Sequence, residues 1–410
     1  MGGDQLKRIL FKGDKTIWIV FFIICSISWV EVFSATSRQI NEAGNYWLPI
    51  IKHTIFLAAG IFVVWIMHNM KVAWIKKLTY VIYWLGIAGL VWAQFSPKIN
   101  NSARWISIMG MTFQPMELAK MGLVMITALI SSKHQDEEGT DRFALNRILI
   151  YGTIPILLIL KENLSTALII LLTLYAMMFV CRYPRGQMLK ILGIAFAAGA
   201  IGLTAIISAP ESLADKGSFG EKVITWKHRI TDVVASKPVT AEDYVIENEQ
   251  RTYANIAIAS SHIFGCGPGN SKQRDFIPHA YSDFIYAIII EELGLAGGII
   301  VLLLYMTILY RCGKIARKCE DPYPAFLVMG VGMIITMQAL LHMYISVGDF
   351  VTGQPLPLIS QGGTSVLINC VYIGIILSVS RYAKKARANP KQSVEEIENE
   401  NVNNERIILS

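Results

Sequence analysis

Charge is what this chain has least of. Only 16% of its 410 residues are Asp, Glu, Lys or Arg, against 53% hydrophobic ones and a mean hydropathy of +0.46. So little charge argues against a soluble multidomain protein. Cysteine is sparse too: Cys25, Cys181, Cys266, Cys312, Cys319 and Cys370 stand apart and never form a CxxC pair, which argues against a disulfide framework and a zinc site. No fixed-period repeat is visible. A small-residue cleavage site is also missing after the first apolar run, so Met1–Lys15, with Lys7, Arg8, Lys12 and Lys15, reads as the front of a retained first helix and not as a removed signal peptide.

What the chain has in their place is a series of apolar runs of about 20 residues, the length that carries a helix across roughly 30 Å of hydrocarbon. They fall near 16–36, 48–68, 76–95, 115–131, 146–160, 165–181, 188–208, 283–310, 324–347 and 359–380. This predicts an all-α, polytopic membrane protein with about ten transmembrane helices. Basic side chains stay on the cytoplasmic side of such a protein. Here they gather beside alternate runs, at Lys7–Lys15, Lys71–Lys77, Lys133–Arg147, Arg182–Lys190, Arg311–Lys318 and Arg381–Lys391. The opposite short loops hold Arg38, Lys52, Lys98, Arg104 and Lys161. Both termini are therefore expected in the cytoplasm, and the net charge of +7 needs no nucleic acid to explain it. The predicted layout is a cytoplasmic N-terminus over 1–15, a transmembrane domain over 16–385 and a cytoplasmic tail over 386–410. That tail, rich in Glu and Asn, cannot bury enough apolar surface to order itself.

One connection is far longer than the others: 209–282, between the seventh and eighth runs, on the extracytoplasmic side. Loops of such length are usually functional or disordered. Glu221–Ser236 sets Val223, Ile224, Trp226 and Ile230 among Lys222, Lys227, His228 and Arg229, the pattern of a helix lying in the membrane interface. Tyr253–Ser261 is apolar enough for a second, packed helix. The plainer reading of the whole loop is an ordered lid with structural duty only.

Ionisable groups inside apolar runs carry the most information, since each costs about 2.5–3.5 kcal/mol at mid-membrane on insertion scales. Glu117 and Lys120, in QPMELAK, share a helix face; they either pair to fix helix packing or meet a substrate. In IPHAYSDFIYAIIIEELG, Asp283 stands where the long loop meets the eighth run, with Glu291 and Glu292 beyond it. On one continuous helix Glu291 would lie about 80° around from Asp283 and some 12 Å deeper, lining the same cavity, with Glu292 about 180° away. A carboxylate at a water–membrane boundary beside an apolar wall suits a general base, but Ser282 and Asp283 are equally suited to cap the helix. Further on, GDFVTGQPLPLISQGGTS holds Gly353, Pro355, Pro357, Gly362 and Gly363. Such backbone cannot be regular helix, and broken backbone at membrane depth is tolerated only inside protein or along an aqueous cavity. Its N–H groups are a candidate cradle for a diphosphate; a tight re-entry turn is the alternative. Arg104 and Trp105, in NNSARWISIMGMTFQP, set a cation beside a ring suited to interface anchoring.

Five segments in this order resemble the motifs of one family: ARWISIMGMTFQPMELAK (103–120), ENLSTA (162–167), IASSHIFGCGPGN (258–270), HAYSDFIYAIIIEELG (279–294) and GQPLPLISQGGTS (353–365). They resemble the SEDS family (shape, elongation, division and sporulation), whose members FtsW, RodA and SpoVE are ten-helix peptidoglycan glycosyltransferases. The resemblance covers nearly the whole apolar region, residues 15–385. It implies that Asp283 is the catalytic aspartate and that Arg104, Trp105, Gln114, Glu117, Lys120, Ser360, Gly362 and Gly363 lie on family motif positions that bind substrate or support the site, beside Glu291 from its spacing. There are departures. Met116 stands where a serine is usual, Asn163 and Ser165 where Asp and Gly are usual, and His342 where Asn is frequent. Asn163 cannot fill any role that needs a negative charge. The wording of GQPLPLISQGGTS is closer to the division branch, FtsW, than to RodA.

The implied reaction polymerises lipid II, the undecaprenyl-diphosphate-linked disaccharide pentapeptide, at the outer face of the bacterial cytoplasmic membrane. Asp283 would take the proton of the acceptor's 4-hydroxyl, which attacks the donor's anomeric carbon with inversion. Arg104, or a divalent cation (Mg or Mn), is the candidate to neutralise the departing diphosphate; no other cofactor is implied. The family's partners are class B penicillin-binding proteins, the cross-linking transpeptidases, and in the division branch the divisome proteins. Two other classes stay open on the sequence. One is a lipid II flippase or other transporter, because broken helices and buried charges also describe carriers, although no inverted repeat supports it. The other is a non-catalytic scaffold for the transpeptidase.

Overall fold

A computed structural model describes residues 12–36, 48–96, 105–108, 111–137, 139–216, 220, 223–224, 226–228, 231, 246–277, 280–347 and 354–388. Arg104, most of the interfacial helix expected over Glu221–Ser236 and the tail from 389 onward lie outside the described residues. The helices are α1 (Lys15–Ala35), α2 (Leu48–Asn69), α3 (Val72–Phe95), α4 (Pro115–Lys133), α5 (Arg142–Glu162), α6 (Leu164–Val180), α7 (Arg185–Ile207), α8 (Ile246–Ser260), α9 (Ile285–Ala316), α10 (Pro322–Val347) and α11 (Gly363–Ala388). All but α8 fall on the ten expected runs. Among the described residues nine helices are long and apolar enough to cross a membrane, and α6 is a shorter apolar helix of 17 residues. The all-α class holds, with two small antiparallel pairs that periodicity did not announce: Ile106–Ile108 with Met111–Phe113, and Gln135–Asp136 with Gly139–Thr140. The second helix expected in the long loop is α8, longer than Tyr253–Ser261 by several residues at its start.

Local chemistry starts these helices where it should. Asp14 precedes α1 and its Oδ1 accepts the N–H groups of Thr16 and Ile17 at 2.9 and 3.2 Å, satisfying donors that a helix N-terminus leaves open. Pro115 opens α4, where a missing N–H costs nothing. Asn163 caps α6 by accepting the Thr166 N–H at 3.1 Å.

Packing then depends on small residues. A Cβ at Gly86 would stand 2.7 Å from the Ala119 Cα, and one at Gly122 would stand 2.7 Å from the Tyr83 Cα. The α3 and α4 backbones therefore touch through reciprocal glycines, the usual device for close approach in a membrane. Helices α4, α10 and α11 form the enclosed centre, whereas α7 buries Met188 alone and is otherwise largely exposed. An apolar helix exposed in this way is bathed in lipid, not water.

At one end of the bundle the segments leading in and out meet. Lys384 Nζ donates to the Gly13 carbonyl at 2.5 Å, Arg311 near the end of α9 pairs with Asp14, and Arg381 donates to the Asn69 carbonyl at 2.8 Å. An even number of crossings puts these segments at the same end, and the contacts join them there. Asp283, which precedes the other end of α9, lies at the opposite end of the bundle.

Candidate functional site

Asp283 belongs to a turn, not to a helix. α9 begins at Ile285, with Phe284 in the cap position and no capping bond from its side chain. Half-buried in the turn before it, Asp283 Oδ1 accepts the Ser282 hydroxyl at 2.9 Å. The angular relation expected between Asp283 and Glu291 assumed one continuous helix, so it does not apply.

Beyond the turn, α9 breaks at Gly294 (φ 75°, ψ −179°). The chain over 262–267 fills the break. Leu295 and Ala296 donate their N–H groups to the His262 and Ile263 carbonyls at 3.1 and 3.2 Å, while Cys266 and Gly267 donate to the Glu291 and Glu292 carbonyls at 3.0 and 2.8 Å. Each helix hydrogen bond lost at the kink is thus replaced from the loop, as burial demands. Gly265 and Gly294 both take positive φ, and a Cβ on either would strike the other's stretch of backbone; only glycine fits there. The two glutamates then reach for the same loop. Glu291 accepts the Ser271 hydroxyl and the N–H groups of Lys272 and Gln273 at 3.0 and 3.3 Å. Glu292 accepts the Gly269 and Ser271 N–H groups at 2.8 and 3.2 Å and the Ser34 hydroxyl, with the Arg274 guanidinium 3.6 Å away. The Glu291 carboxylate is spent in holding the loop that leads to Asp283.

Residues 354–362 run beside the Asp283 turn and are stitched to it. Ser360 donates its hydroxyl to the Ser282 carbonyl at 2.7 Å, and Gln361 donates its N–H to the Tyr281 carbonyl at 3.0 Å. Side chains from several helices hold the segment from behind. His342 on α10 donates to the Gln354 carbonyl at 2.6 Å, Gln338 on α10 to the Pro355 carbonyl at 3.2 Å, and Tyr305 on α9 to the Pro357 carbonyl; the Gln354 side chain donates to Thr166 on α6. Beneath lies the expected ion pair. Lys120 Nζ donates to Glu117 at 2.7 Å and to Gln338 Oε1 at 2.8 Å, all three residues being buried. Glu117 and Lys120 thus sit below the segment and brace it through Gln338.

Four N–H groups of the segment are spent inside the protein. Leu356 N–H donates to the Ser360 hydroxyl at 2.8 Å, Ile359 and Ser360 N–H donate to the Leu356 carbonyl, and Gln361 N–H is already spent on Tyr281. Gly363 is needed for packing, since a Cβ there would stand 2.7 Å from the Phe56 ring, whereas Gly362 has room. Trp105 is half-buried just before the first strand. A hollow between α3, α4 and α5 is lined by Gln94, Pro115, Met116, Leu158, Ile159 and Glu162 among others; Asp283 does not line it. Nor do the described residues fit a resident metal, for no three His, Cys, Asp or Glu side chains among them converge.

Unspent hydrogen-bonding capacity collects around the segment. Gln114 Oε1, Glu117 Oε2, Asn163 Nδ2, His342 Nε2 and Gln354 Oε1 are buried with no partner among the described residues. Such atoms are rare in proteins and call for an explanation. Sequence reasoning missed a polar stripe on α1. Ser28, Glu31 and Ser34 recur every three residues inside an apolar run and are all buried. Glu31 carried the same signal as Glu117, an ionisable group where it is costly, and neither of its oxygens has a partner among the described residues.

Comparison with known proteins places this architecture. The FtsW/RodA/SpoVE family, described as "Cell cycle protein", matches residues 14–385. The chain is similar to "Probable peptidoglycan glycosyltransferase FtsW" of Halomonas elongata, at 28% identity over 94% of each chain. It is also similar to "Stage V sporulation protein E" of Bacillus subtilis, at 26% identity over 90% of this chain and 98% of that one. Among solved structures, one described as "Structural coordination of polymerization and crosslinking by a peptidoglycan synthase complex" has a chain that superposes with a TM-score of 0.70 at 18% identity, covering 90% of this chain and 98% of that one. The rod shape determining protein RodA of Thermus thermophilus superposes at 0.60 and 19% identity, covering 90% and 97%. The two structures share the fold.

Proposed function

This chain belongs to the FtsW/RodA/SpoVE family of cell cycle proteins, and from that premise we propose that it is a peptidoglycan glycosyltransferase of the division branch, polymerising lipid II at the outer face of the bacterial cytoplasmic membrane. The observation that carries the reading is the mounting of Asp283. A half-buried carboxylate stands on a turn that two bonds from the 354–362 segment hold in place, with the Glu117–Lys120–Gln338 group braced beneath. A general base needs a fixed position more than it needs neighbours.

Asp283 takes the proton of the acceptor sugar's 4-hydroxyl as that oxygen bonds to the donor's anomeric carbon. The bond from that carbon to the diphosphate breaks, its electron pair leaves with undecaprenyl diphosphate, and the configuration inverts. A diphosphate leaves without strong acid assistance, so one carboxylate suffices. The Asp283 end faces outward and the basic end, with both termini, faces the cytoplasm. A class B penicillin-binding protein is the partner, with the divisome around it.

The test is polymer formation from lipid II by the purified full-length protein and by Asp283→Asn. The substitution should cut the rate by about 10²–10⁴, the worth of a general base. An unchanged rate would remove Asp283 from the chemistry, and transport of lipid II without polymer would turn the protein into a carrier.

A further inference from the structure

Ser28 on α1 and His53 on α2 have no part in the mechanism above, yet both are buried, at 0% and 3% exposure. His53 Nε2 lies 3.0 Å from Ser28 Oγ, and Ser28 Oγ donates to the Ile359 carbonyl at 2.8 Å. A hydroxyl has one proton to give. Since Ser28 spends it on Ile359, His53 Nε2 must carry the hydrogen that it shares with Ser28. The tautomer follows from the chain of bonds, which runs one way from His53 to Ser28 to Ile359.

The place where this chain ends gives it meaning. Leu358, immediately before Ile359, is held at φ 66°, a left-handed conformation that a branched side chain adopts only when its surroundings impose it. Ser360, immediately after, donates to the Ser282 carbonyl beside Asp283. We propose that Ser28 and His53 are positioning residues for glycosyl transfer: they pin Ile359 so that Leu358 stays in its strained state and Ser360 keeps the Asp283 turn in register. The proposal rests on the catalytic reading of Asp283. Neither side chain touches a reacting atom. Without the Ser28 hydroxyl the Ile359 carbonyl is buried with no donor, and relaxation at Leu358 carries Ser360 away from Ser282.

The experiment uses the full-length protein in lipid nanodiscs supplied with lipid II. Ser28→Ala should lower kcat about tenfold with KM unchanged, the pattern of support given only in the transition state. Ser28→Thr, which keeps the hydroxyl, should restore most of the rate. Ser28→Ala combined with Ser360→Ala should lose no more than Ser360→Ala alone, because both act through one turn. Independently of catalysis, hydrogen exchange at the 356 and 358–361 amides should quicken in Ser28→Ala, while the amides of the opposite end of the bundle keep their rates. If that variant does not fold, His53→Gln against His53→Phe makes the same comparison, since only the glutamine keeps a donor. Normal kcat, normal exchange, additive losses or failure of the threonine to rescue would each overturn the pair. Absence of polymer from the unaltered protein would instead overturn the reading of its function.

Discussion

The two ends of the bundle treat buried polar groups in opposite ways. Where the termini meet, polar groups from distant parts of the chain find partners. Asp14 takes Arg311 and its own helix amides, Arg381 and Lys384 donate to chain carbonyls, and Tyr382 donates to Asp321, although the His68 ring nitrogens have no hydrogen-bond partner among the described residues. At the Asp283 end α9 is broken at Gly294, Leu358 sits at positive φ, and buried amide, imidazole and carboxylate atoms have no partner among the described residues. Polar groups are costly inside a membrane and are retained where something uses them. On the proposed reading of Asp283, one end serves topology and stability and the other serves chemistry. Substitutions at the first should change stability with activity intact; at the second, the reverse.

The sharpest attempt to break this contrast is Asp283→Asn, for which activity should fall by about 10²–10⁴ while Tm holds. A large drop in Tm would mean that the turn is a structural strut. Lys120→Met comes next, and it tests depth: beneath the site the contrast should blur. Removing the cation leaves Glu117 charged and alone, which costs about 3–5 kcal/mol, read as a lower Tm in thermal unfolding of the purified protein. Glu117→Gln added to Lys120→Met should recover part of the loss, because it is the orphaned charge that destabilises. Ser360→Ala is smaller, about tenfold in kcat, since it takes one donor from the Ser282 carbonyl and one acceptor from the Leu356 N–H, each bond worth about 1 kcal/mol.

These residues also mark what could be read from the chain beforehand. The crossings were legible because long apolar runs with so few charges have no other stable home. The Glu117–Lys120 pair was legible because residues three apart share a helix face; its third member, Gln338, was not, being 218 positions away from Lys120. The kink at Gly294 was hidden, since EELGLAGG reads as uninterrupted helix and breaks only because 262–267 supplies the missing hydrogen bonds. The helical angle expected between Asp283 and Glu291 failed for a different reason: α9 begins only at Ile285, after the Asp283 turn. The 354–362 segment was correctly read as irregular, but what holds it was hidden: its carbonyls are caught by Ser28, Tyr305, Gln338 and His342. Such information is spread over four positions on three helices, and no local pattern contains it.

The smallest effect belongs to the opposite end and tests its independence. Burial alone would raise the Asp14 pKa, but the Arg311 guanidinium and the Ile17 and Thr16 amides outweigh it and hold the carboxyl below its ordinary value of 3.8. A carboxyl whose folded value is depressed stabilises the fold fully above its unfolded value, and that contribution is lost as pH falls through the lowered folded one. Tm of the purified protein should therefore carry an Asp14-dependent decline that sets in as pH drops below about 4. Asp14→Asn should remove that part of the decline and cost about 1 kcal/mol at neutral pH, a modest figure because the Arg311 partner is 25% exposed and screened by solvent. Polymerisation at neutral pH should not change. If Asp14→Asn slowed it while the protein stayed folded, α1 and α9 would be transmitting strain along their whole length, and the division of labour between the two ends would fail.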